Sequence, residues 1–586
     1  MYILGIYYGH NSTACLLKDG QIIAAASEER FNRIKNYKGF PKNALAHVLS
    51  EAKIDSSKLD FVTLSFTYMA PIHSVSQTEN SSLINLFLVL TVPFQLIRNF
   101  WGKLTFRFPS WIKIGRIFYL LSIYTVGKYT RYQEINFIAK FLKIDKNKIK
   151  HFDHHLSHAA SAYYASPFNQ KKALVLTVDG EGDSFSASVN IFEDDKYTVL
   201  AKTPRESSLG MLYAWVTTFL GMKPNEHEYK VMGLAPYAKK EDVDKLYKRI
   251  EHIITVDDKN LRFESPLNMS DALRFLDSEL KHIRFDLIAG IFQKLLEEKI
   301  TYWVEAAMKQ TKITTLVLAG GVLMNVKVNQ QIANLANIKE LFIVPPPSDE
   351  SSIIGSSYLA FKQALPKAKI PPIQEIYWGP NISKDELDVV IKKAKKSKFY
   401  KVTQLQNPEK QIAKLLANGE AVARCSGKME FGPRALGNRS ILADPRNLDI
   451  VRVINEQVKN RDFWMPFAPS IIEERFNDYA VNSRKYKPYY MILAYDATEK
   501  GKKELRAAMH QYDFTIRPQM VKKEHNPMYY NIIKEFEKLT GVGAILNTSF
   551  NLHGFPIVKG AIDAFQTFEN SGLKYLVLEN YLIQKK

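Results

Sequence analysis

Three short apolar runs constrain what this chain can fold into. Residues 3–6, 173–178 and 314–319 are each followed by a turn of small residues that carries a polar side chain. The turns read Gly-His-Asn-Ser-Thr, then Asp179-Gly180-Glu181-Gly182-Asp183, then Gly320-Gly321-Val322. Apolar runs of this length bounded by glycine-rich turns are strand signals. Residues 14–17 and 21–26, joined by Lys18-Asp19-Gly20, extend the opening into strand–turn–strand–turn–strand. Helical periodicity over 285–308 alternates with these strands, so the fold class is α/β or α+β. One glycine turn carries almost no information, because hairpins use them constantly. Three in this order are more telling, since such turns recur where backbone N–H groups face phosphates. No internal repeat and no low-complexity tract is visible.

The chain has 586 residues, of which 46% are apolar, 24% charged and 12% aromatic. These proportions exclude wholesale disorder, collagen and coiled coil. At about 150 residues per domain the upper bound is about four domains, and two large ones fit equally well. Lys362–Gln374, with Pro366, Pro371 and Pro372 among lysines, reads as a linker. A boundary is therefore expected near 363–378, with strands resuming at Glu420–Cys425. Cys15 and Cys425 are the only cysteines, which points to no disulfide framework and a reducing, cytoplasmic compartment. The N-terminus lacks the basic n-region of a signal peptide.

Eighty basic against 60 acidic residues give a formal charge of +20, which suits anionic nucleotides, nucleic acid or an anionic membrane surface. Between Glu79 and Glu134 there is no acidic residue, while Arg98, Lys103, Arg107, Lys113, Arg116, Lys128 and Arg131 lie among aromatic and aliphatic side chains. Its most apolar part, Leu83–Ile97, contains Pro93 and is shorter than the ~20 residues of a spanning helix. Two readings stand: a helical insertion packed on its own domain, or a segment through 83–131 lying on an anionic membrane. Nucleic acid comes last, for there is no zinc-finger spacing and no aromatic-basic RNA-binding signature.

The sharpest local signal is Asp153-His154-His155-Leu156-Ser157-His158-Ala159-Ala160-Ser161-Ala162. Asp153 suits a helix cap. On that helix His154 and His158 are i, i+4 neighbours that can share one metal ion, whereas His155 points away. Two histidines with carboxylates suit Fe(II), Mn(II) or Zn(II). The plain alternative is a helix start with hydrogen-bonded histidines. Asp179 and Asp349 are the distant candidates that would complete a site, and each also reads as an ordinary turn aspartate. The Ala-Ala-Ser-Ala run lets another backbone approach closely.

A second cluster is basic: Arg424, Lys428, Arg434, Arg439 and Arg446. Arginine is suited to bidentate phosphate contact, and a solvated basic face is the ordinary alternative. Interleaved Gly432, Pro433 and Gly437 suggest a shaped loop whose backbone approaches a ligand.

These residues, in this order, match a known pattern. To Gly-His-Asn-Ser, Glu28-Glu29-Arg30-Phe31, His-His-Leu-Ser-His-Ala and Asp-Gly-Glu-Gly-Asp are added Glu228-Tyr229-Lys230-Val231-Met232-Gly233-Leu234-Ala235-Pro236-Tyr237 and Ala-Gly-Gly-Val. Lys428 to Ser440, Pro466-Phe467-Ala468-Pro469, Arg517-Pro518-Gln519 and Asn547-Thr548-Ser549-Phe550-Asn551 follow. The chain resembles the O-carbamoyltransferases of nodulation-factor and antibiotic biosynthesis over nearly its whole length, thinning at about 75–145.

The resemblance implies two domains. Residues 1–365 would form a carbamoyl-transfer domain of the actin/sugar-kinase fold, with the insertion at 75–145, and 376–586 a domain similar to threonylcarbamoyl-AMP synthases. The C-terminal site would make carbamoyl-adenylate from carbamoyl phosphate and Mg-ATP, and the N-terminal site would carbamoylate a hydroxyl of a sugar, antibiotic or lipid-linked saccharide. It implies His154, His158, Asp179 and Asp349 as ligands of a divalent ion, Fe(II) favoured, and His10 beside them as proton acceptor. Gly320, Gly321 and Asn325 would lie along the adenylate with Lys230 nearby. Arg424, Lys428, Arg434, Arg439, Lys459, Arg517, Asn547 and Ser549 would hold nucleotide and carbamoyl phosphate, Arg434 taking part in catalysis. One departure stands out: Met465 occupies the position before Pro-Phe-Ala-Pro where the family pattern has Arg, with Arg461 or Lys459 as replacements. The rivals are a tRNA threonylcarbamoyl-type enzyme and a membrane-docked scaffold without catalysis. Peripheral attachment to the inner membrane and a homodimer are further expectations.

Overall fold

The computed structural model describes residues 1–67, 112–194, 196–269 and 272–586. They fold as two compact bodies, one of residues 1–24 with 36–373, the other of residues 25–35 with 374–586.

The first body holds two five-stranded sheets. The opening three runs form β1 (Tyr2–Tyr7), β2 (Thr13–Lys18) and β3 (Gln21–Ser27), followed by β4 (Phe61–Leu64) and β5 (Ile149–His151). Their order is β3-β2-β1-β4-β5, with β1–β2 antiparallel and β1–β4 and β4–β5 parallel. The second sheet is built from β6 (Ala173–Gly182), β7 (Phe185–Glu193) and β8 (Lys196–Pro204). After the hairpin of β9 (Thr255–Asp257) and β10 (Arg262–Glu264) it is completed by β11 (Thr315–Ala319) and β12 (Glu340–Ile343). Its order is β12-β11-β6-β7-β8, again with an antiparallel β6–β7 pair and parallel β6–β11 and β11–β12 pairs. Counted from its own first strand, each sheet reads 3-2-1-4-5. The topology is thus duplicated, which corrects the expectation of no internal repeat: pairing order recurs where residue identities do not.

β6 and β11 are buried on both faces, as the continuous apolar runs require. The helix Phe285–Thr311 buries Ile288, Ile291, Phe292, Leu295, Leu296, Trp303 and Val304 along one stripe. It ends at Lys312, which adopts a left-handed φ of 58° and returns its N–H to Met308 O.

The second body carries an eight-stranded mixed sheet of order β13-β22-β21-β14-β15-β20-β16-β19. These are β13 (Tyr400–Gln404), β14 (Val422–Cys425), β15 (Arg439–Ala443), β16 (Ala468–Ile472), β19 (Gln519–Val521), β20 (Ala544–Ser549), β21 (Tyr575–Leu578) and β22 (Tyr581–Lys585), while β17 (Tyr495–Asp496) and β18 (Thr515–Ile516) pair apart. Its core includes Ile441, Leu546, Phe550, Phe565, Phe568 and Ile583. The Glu28-Glu29-Arg30-Phe31 motif belongs to this body. Arg30 donates to Gly432 O at 2.8 Å, and Arg33 to Pro556 O at 2.9 Å and Ile557 O at 2.7 Å.

The central part of the basic-apolar stretch, 68–111, lies outside the described residues, and with it most of the membrane-surface expectation for 83–131. Among the described residues no helix is long and apolar enough to cross a membrane.

Candidate functional site

The helix His154–Ala165 begins where Asp153 Oδ1 accepts from Leu156 N–H at 2.8 Å. A second carboxylate, Asp183, accepts the His154 N–H at 2.8 Å and the Thr67 N–H at 2.9 Å. The helix beginning is therefore fixed from two sides. Behind it the helix Ser352–Ala364 packs so closely that a Cβ on Gly355 would lie 1.8 Å from Ser157 O. This is the close backbone approach that the small-residue run permits.

His154 and His158 face one point, their Nε2 atoms 3.1 Å apart. Asp179 Oδ2 lies 3.2 Å from His154 Nε2, and Asp349 Oδ1 lies 3.3 Å from His158 Nε2. One ligand atom from each of the four falls within 4.8 Å of the others. Asp179 sits where the β6–β7 register shifts, between Val178 and Gly182. Such a bulge re-aims a side chain out of the pleat. Gly182 lies in the same bulge, and a Cβ there would sit 1.9 Å from His154 Cδ2. Only glycine leaves room for the imidazole. Asp349 opens the turn ahead of Ser352–Ala364, and its Oδ2 accepts from the Tyr7 hydroxyl at 2.5 Å.

His154 Nδ1 lies 3.2 Å from Ser65 O. A carbonyl only accepts, so Nδ1 carries a proton, and Nε2 faces the other three groups. Two imidazole nitrogens and two carboxylates at these separations call for a cation between them. Burial works against a charge on His154, yet Asp179, Asp349 and Asp183 outweigh it and hold the imidazole up at about 10. Burial pushes Asp179 up, and His154 and His158 override it, so that carboxylate lies well below the usual range. His155 is pulled down to about 4 by burial and the His154 charge, and its Nδ1 meets Thr177 Oγ1 at 2.8 Å. The donor set and the fixed tautomer fit a divalent ion held by His154, His158, Asp179 and Asp349.

The other first-body residues are placed as follows. Gly321 N–H donates to Asp179 Oδ1 at 2.9 Å. Gly320 has φ 108°, and a Cβ there would lie 2.2 Å from Val178 O, so that glycine serves strand packing. Asn325 is buried and caps the helix Val326–Asn334 through Val328 N–H at 3.2 Å, while its Nδ2 donates to Gln293 Oε1 at 2.9 Å. Its amide is engaged within the fold. Lys230 is half-buried on the helix Glu228–Leu234. His10 Nε2 lies 2.9 Å from Asn225 O.

In the second body the basic run divides. Arg424 and Arg439 sit on paired antiparallel strands and are buried. Arg424 donates to Gly437 O at 2.6 Å and Asn438 Oδ1 at 2.8 Å. The Arg439 guanidinium donates to Lys559 O, Ser426 O, Gly427 O, Asn438 O and Pro380 O. Arg446 pairs with Asp444 at 2.6 Å. The donors of Arg424 and Arg439 hold the surrounding loops. Gly437 is likewise explained by packing, since a Cβ there would lie 2.4 Å from the Tyr529 ring. Lys428 is half-buried.

Arg434 belongs to a different group. Burial and the charges of Arg434 and Arg461 together drive Arg517 well below the usual guanidinium range. A guanidinium does not give up its proton, so Arg517 stays charged beside Arg434 and Arg461. Lys459 is depressed by burial and by Arg461 and Lys35. Its ammonium donates to Ser549 O, to Ser549 Oγ at 3.2 Å, to Asn551 O at 3.1 Å and to Asn551 Oδ1 at 2.7 Å. Asn547 Nδ2 donates to Ala435 O and Ser470 Oγ, both at 3.1 Å, while its buried Oδ1 has no hydrogen-bond partner among the described residues. Arg461 thus supplies charge beside Arg517 in a chain that carries Met465. Tyr7, Asp183, Gly182 and Lys35 were not foreseen. A glycine interrupting a strand, as Gly182 does, is the one sequence signal that could have flagged a close approach.

A chain with a histidine–aspartate quartet in one body and a guanidinium cluster in the other has clear relatives. The carbamoyltransferase N-terminus pattern matches residues 2–76 and 111–358, and the carbamoyltransferase C-terminus pattern matches 413–585. The chain belongs to the carbamoyltransferase family and is a carbamoyltransferase enzyme. It is 31% identical over 591 residues to the uncharacterized protein MJ1051 of Methanocaldococcus jannaschii, covering 100% of this chain and 99% of that one. It is 31% identical over 589 residues to the nodulation protein NolNO of Sinorhizobium fredii, covering 98% of this chain and 79% of the relative. Among solved structures, full-length HypF in its phosphate- and nucleotide-bound form aligns with a TM-score of 0.31 and 14% identity, over 63% of this chain and 56% of that one.

Proposed function

We propose that the second body makes carbamoyl-adenylate from carbamoyl phosphate and Mg-ATP, and that the first transfers the carbamoyl group to a hydroxyl of a sugar, antibiotic or lipid-linked saccharide. The duplicated 3-2-1-4-5 order supports an actin/sugar-kinase-like reading of the first body. The threonylcarbamoyl-AMP-synthase-like reading of the second rests on the motif resemblance. The observation that carries the function is the presence in one family member of two centres with opposite charge demands.

In the first half-reaction water cleaves carbamoyl phosphate to carbamate and phosphate, a carbamate oxygen then attacks the α-phosphorus of ATP, and pyrophosphate leaves. Arg434, Arg461 and Arg517 hold the polyanions, with the mutual repulsion of the guanidinium groups relieved as the anions arrive. Lys459 fixes the Ser549–Asn551 turn beside them. In the second half-reaction Gly320, Gly321 and Lys230 line the adenylate, and His10 takes the hydroxyl proton. His154, His158, Asp179 and Asp349 hold a divalent ion, Fe(II) by preference and Mn(II) or Zn(II) otherwise, which supplies Lewis acidity at the carbamoyl carbonyl. Carbamoyl-adenylate is labile in water, so it must be kept from bulk solvent.

Incubation with ATP, carbamoyl phosphate and a panel of hydroxylated acceptors, scored by mass, tests this reading. The expected result is an acceptor heavier by one carbamoyl group, with pyrophosphate released. Absence of both carbamoyl-dependent pyrophosphate release and product overturns it.

A further inference from the structure

His10 ends the first strand's turn, three residues beyond Tyr7, whose hydroxyl is bonded to Asp349. Its Nε2 lies 2.9 Å from the backbone carbonyl oxygen of Asn225, its one hydrogen-bond contact among the described residues. A carbonyl oxygen has no proton to give, so in this arrangement Nε2 carries the hydrogen and Nδ1 carries the lone pair.

The loop that presents this carbonyl is closed on itself. Lys223 N–H donates to His227 Nδ1 at 3.2 Å, and His227 N–H donates back to Lys223 O at 3.0 Å. Lys223 also pairs with Glu226. Asn225 adopts a left-handed φ of 60°, a conformation asparagine tolerates better than most residues. Its N–H donates to Glu228 Oε1 at 2.6 Å. The Glu228 carboxylate also takes backbone N–H groups of Glu226 and of its own residue, so it gathers the turn at the start of the helix Glu228–Leu234.

The structure assigns Nδ1 of His10 as the proton-accepting atom, with Asn225 and Glu228 as positioning residues that fix its tautomer through the Lys223–Glu228 loop. This rests on the carbamoyl-transfer reading for its chemical meaning. The acceptor O–H proton passes to Nδ1, and the oxygen forms a bond to the carbamoyl carbon. The carbon–oxygen bond to the adenylate then breaks, AMP leaves with the electron pair, and the proton on Nδ1 passes to solvent. The Asn225 carbonyl stabilises the imidazolium through Nε2–H while it exists, as a hydrogen-bonded partner does for other catalytic histidines.

The test is nitrogen-15 NMR of the full chain labelled at histidine, with the His10 signals identified by their loss in H10Q. The expected result is the Nε2–H tautomer in the wild-type protein above its titration. In E228A the tautomer becomes a mixture, and E228Q, which keeps an acceptor oxygen at the same place, restores the single form. N225V, strained at positive φ, gives the mixture by a second route should E228A fail to fold. A wild-type Nδ1–H tautomer overturns the inference, and so does an unchanged single tautomer in both E228A and N225V. None of these spectra needs substrate, so they stand apart from the carbamoyl-transfer reading. That reading fails separately, if the wild-type protein shows no carbamoyl-dependent ATP–pyrophosphate exchange. E228A is expected to retain this exchange while product formation falls about 10- to 100-fold, within the range that positioned proton transfer contributes.

Discussion

In the first body a buried imidazole donates from Nδ1 to a carbonyl and turns its Nε2 toward a second imidazole and two carboxylates. In the second body the Arg517 guanidinium lies in the field of Arg434 and Arg461, and the Lys459 ammonium in that of Arg461 and Lys35. The first arrangement is partly self-satisfied, because a proton on His154 compensates the carboxylates until a metal replaces it. The second has no such substitute, since neither protonation nor deprotonation at ordinary pH removes a guanidinium charge. One centre therefore rests in a protonated form, while in the other the guanidinium charges stay in place. Under the proposed two-step transfer the first would keep a cation and the second would receive anions.

The sharpest way to break this comparison is a crossed pair of variants. H154A is expected to lower acceptor carbamoylation about 10³-fold while carbamoyl-dependent ATP–pyrophosphate exchange persists. R517A is expected to do the reverse at its source, lowering the exchange about 10³-fold and product formation with it. Stopped assays of both reactions on both variants decide the matter. Equal loss of exchange in the two would mean that the centres are not separate.

The pH dependence sharpens the contrast. His154 is held at about 10 when folded, above its unfolded value near 6.5. A raised histidine stabilises the fold fully below the unfolded value, and that contribution is lost as pH climbs from there toward 10. Urea midpoints of the metal-free protein should fall over this window, and saturating Mn(II) should flatten the decline by displacing the proton. H154Q should remove the His154 part of the slope. A slope equally steep in H154Q would assign the behaviour to other groups.

Much of this molecule was legible in sequence, for reasons that differ by region. β1, β6 and β11 were readable because a strand buried on both faces has to be continuously apolar. His154 and His158 were readable because i, i+4 spacing puts two side chains on one face whatever surrounds the helix. Asp179 and Asp349 entered as candidates because each follows a strand-like run, but only the fold brings them to the histidines. Tyr7 and Glu228 act through contacts whose partners no local pattern specifies. The same holds in the basic run, where Arg424 and Arg439 lie on antiparallel neighbours and their charge meets backbone carbonyls that no local pattern specifies. The duplicated topology was invisible because pairing order does not need repeated residues.

A smaller effect is expected at Tyr7. Its hydroxyl donates to Asp349 Oδ2 and leaves Oδ1 facing His158. Y7F should weaken Mn(II) binding about tenfold, the lower end for an outer-shell partner of a metal ligand. Competition with a chelating dye measures this, and unchanged affinity would show that Asp349 is held by its turn alone.

The smallest predicted effect has the opposite sign and tests the strained side of the comparison. R517M keeps a long apolar stem and removes one of the mutually repelling charges. Burial of the Arg517 Nε leads its shift, yet part of the residue's surface meets water, which screens the repulsion, and the gain in ligand-free stability should be about 1 kcal/mol. Pyrophosphate should then reverse the order, since the wild-type cluster binds it and stabilises by mass action whereas the variant binds it poorly. Thermal unfolding with and without pyrophosphate, at low and high salt, reads both terms. High salt should shrink the ligand-free difference, as it does for any exposed charge interaction. If R517M melts lower than wild type without ligand, Arg517 is held by attraction, and the second centre is an ordinary packed arginine rather than one awaiting an anion.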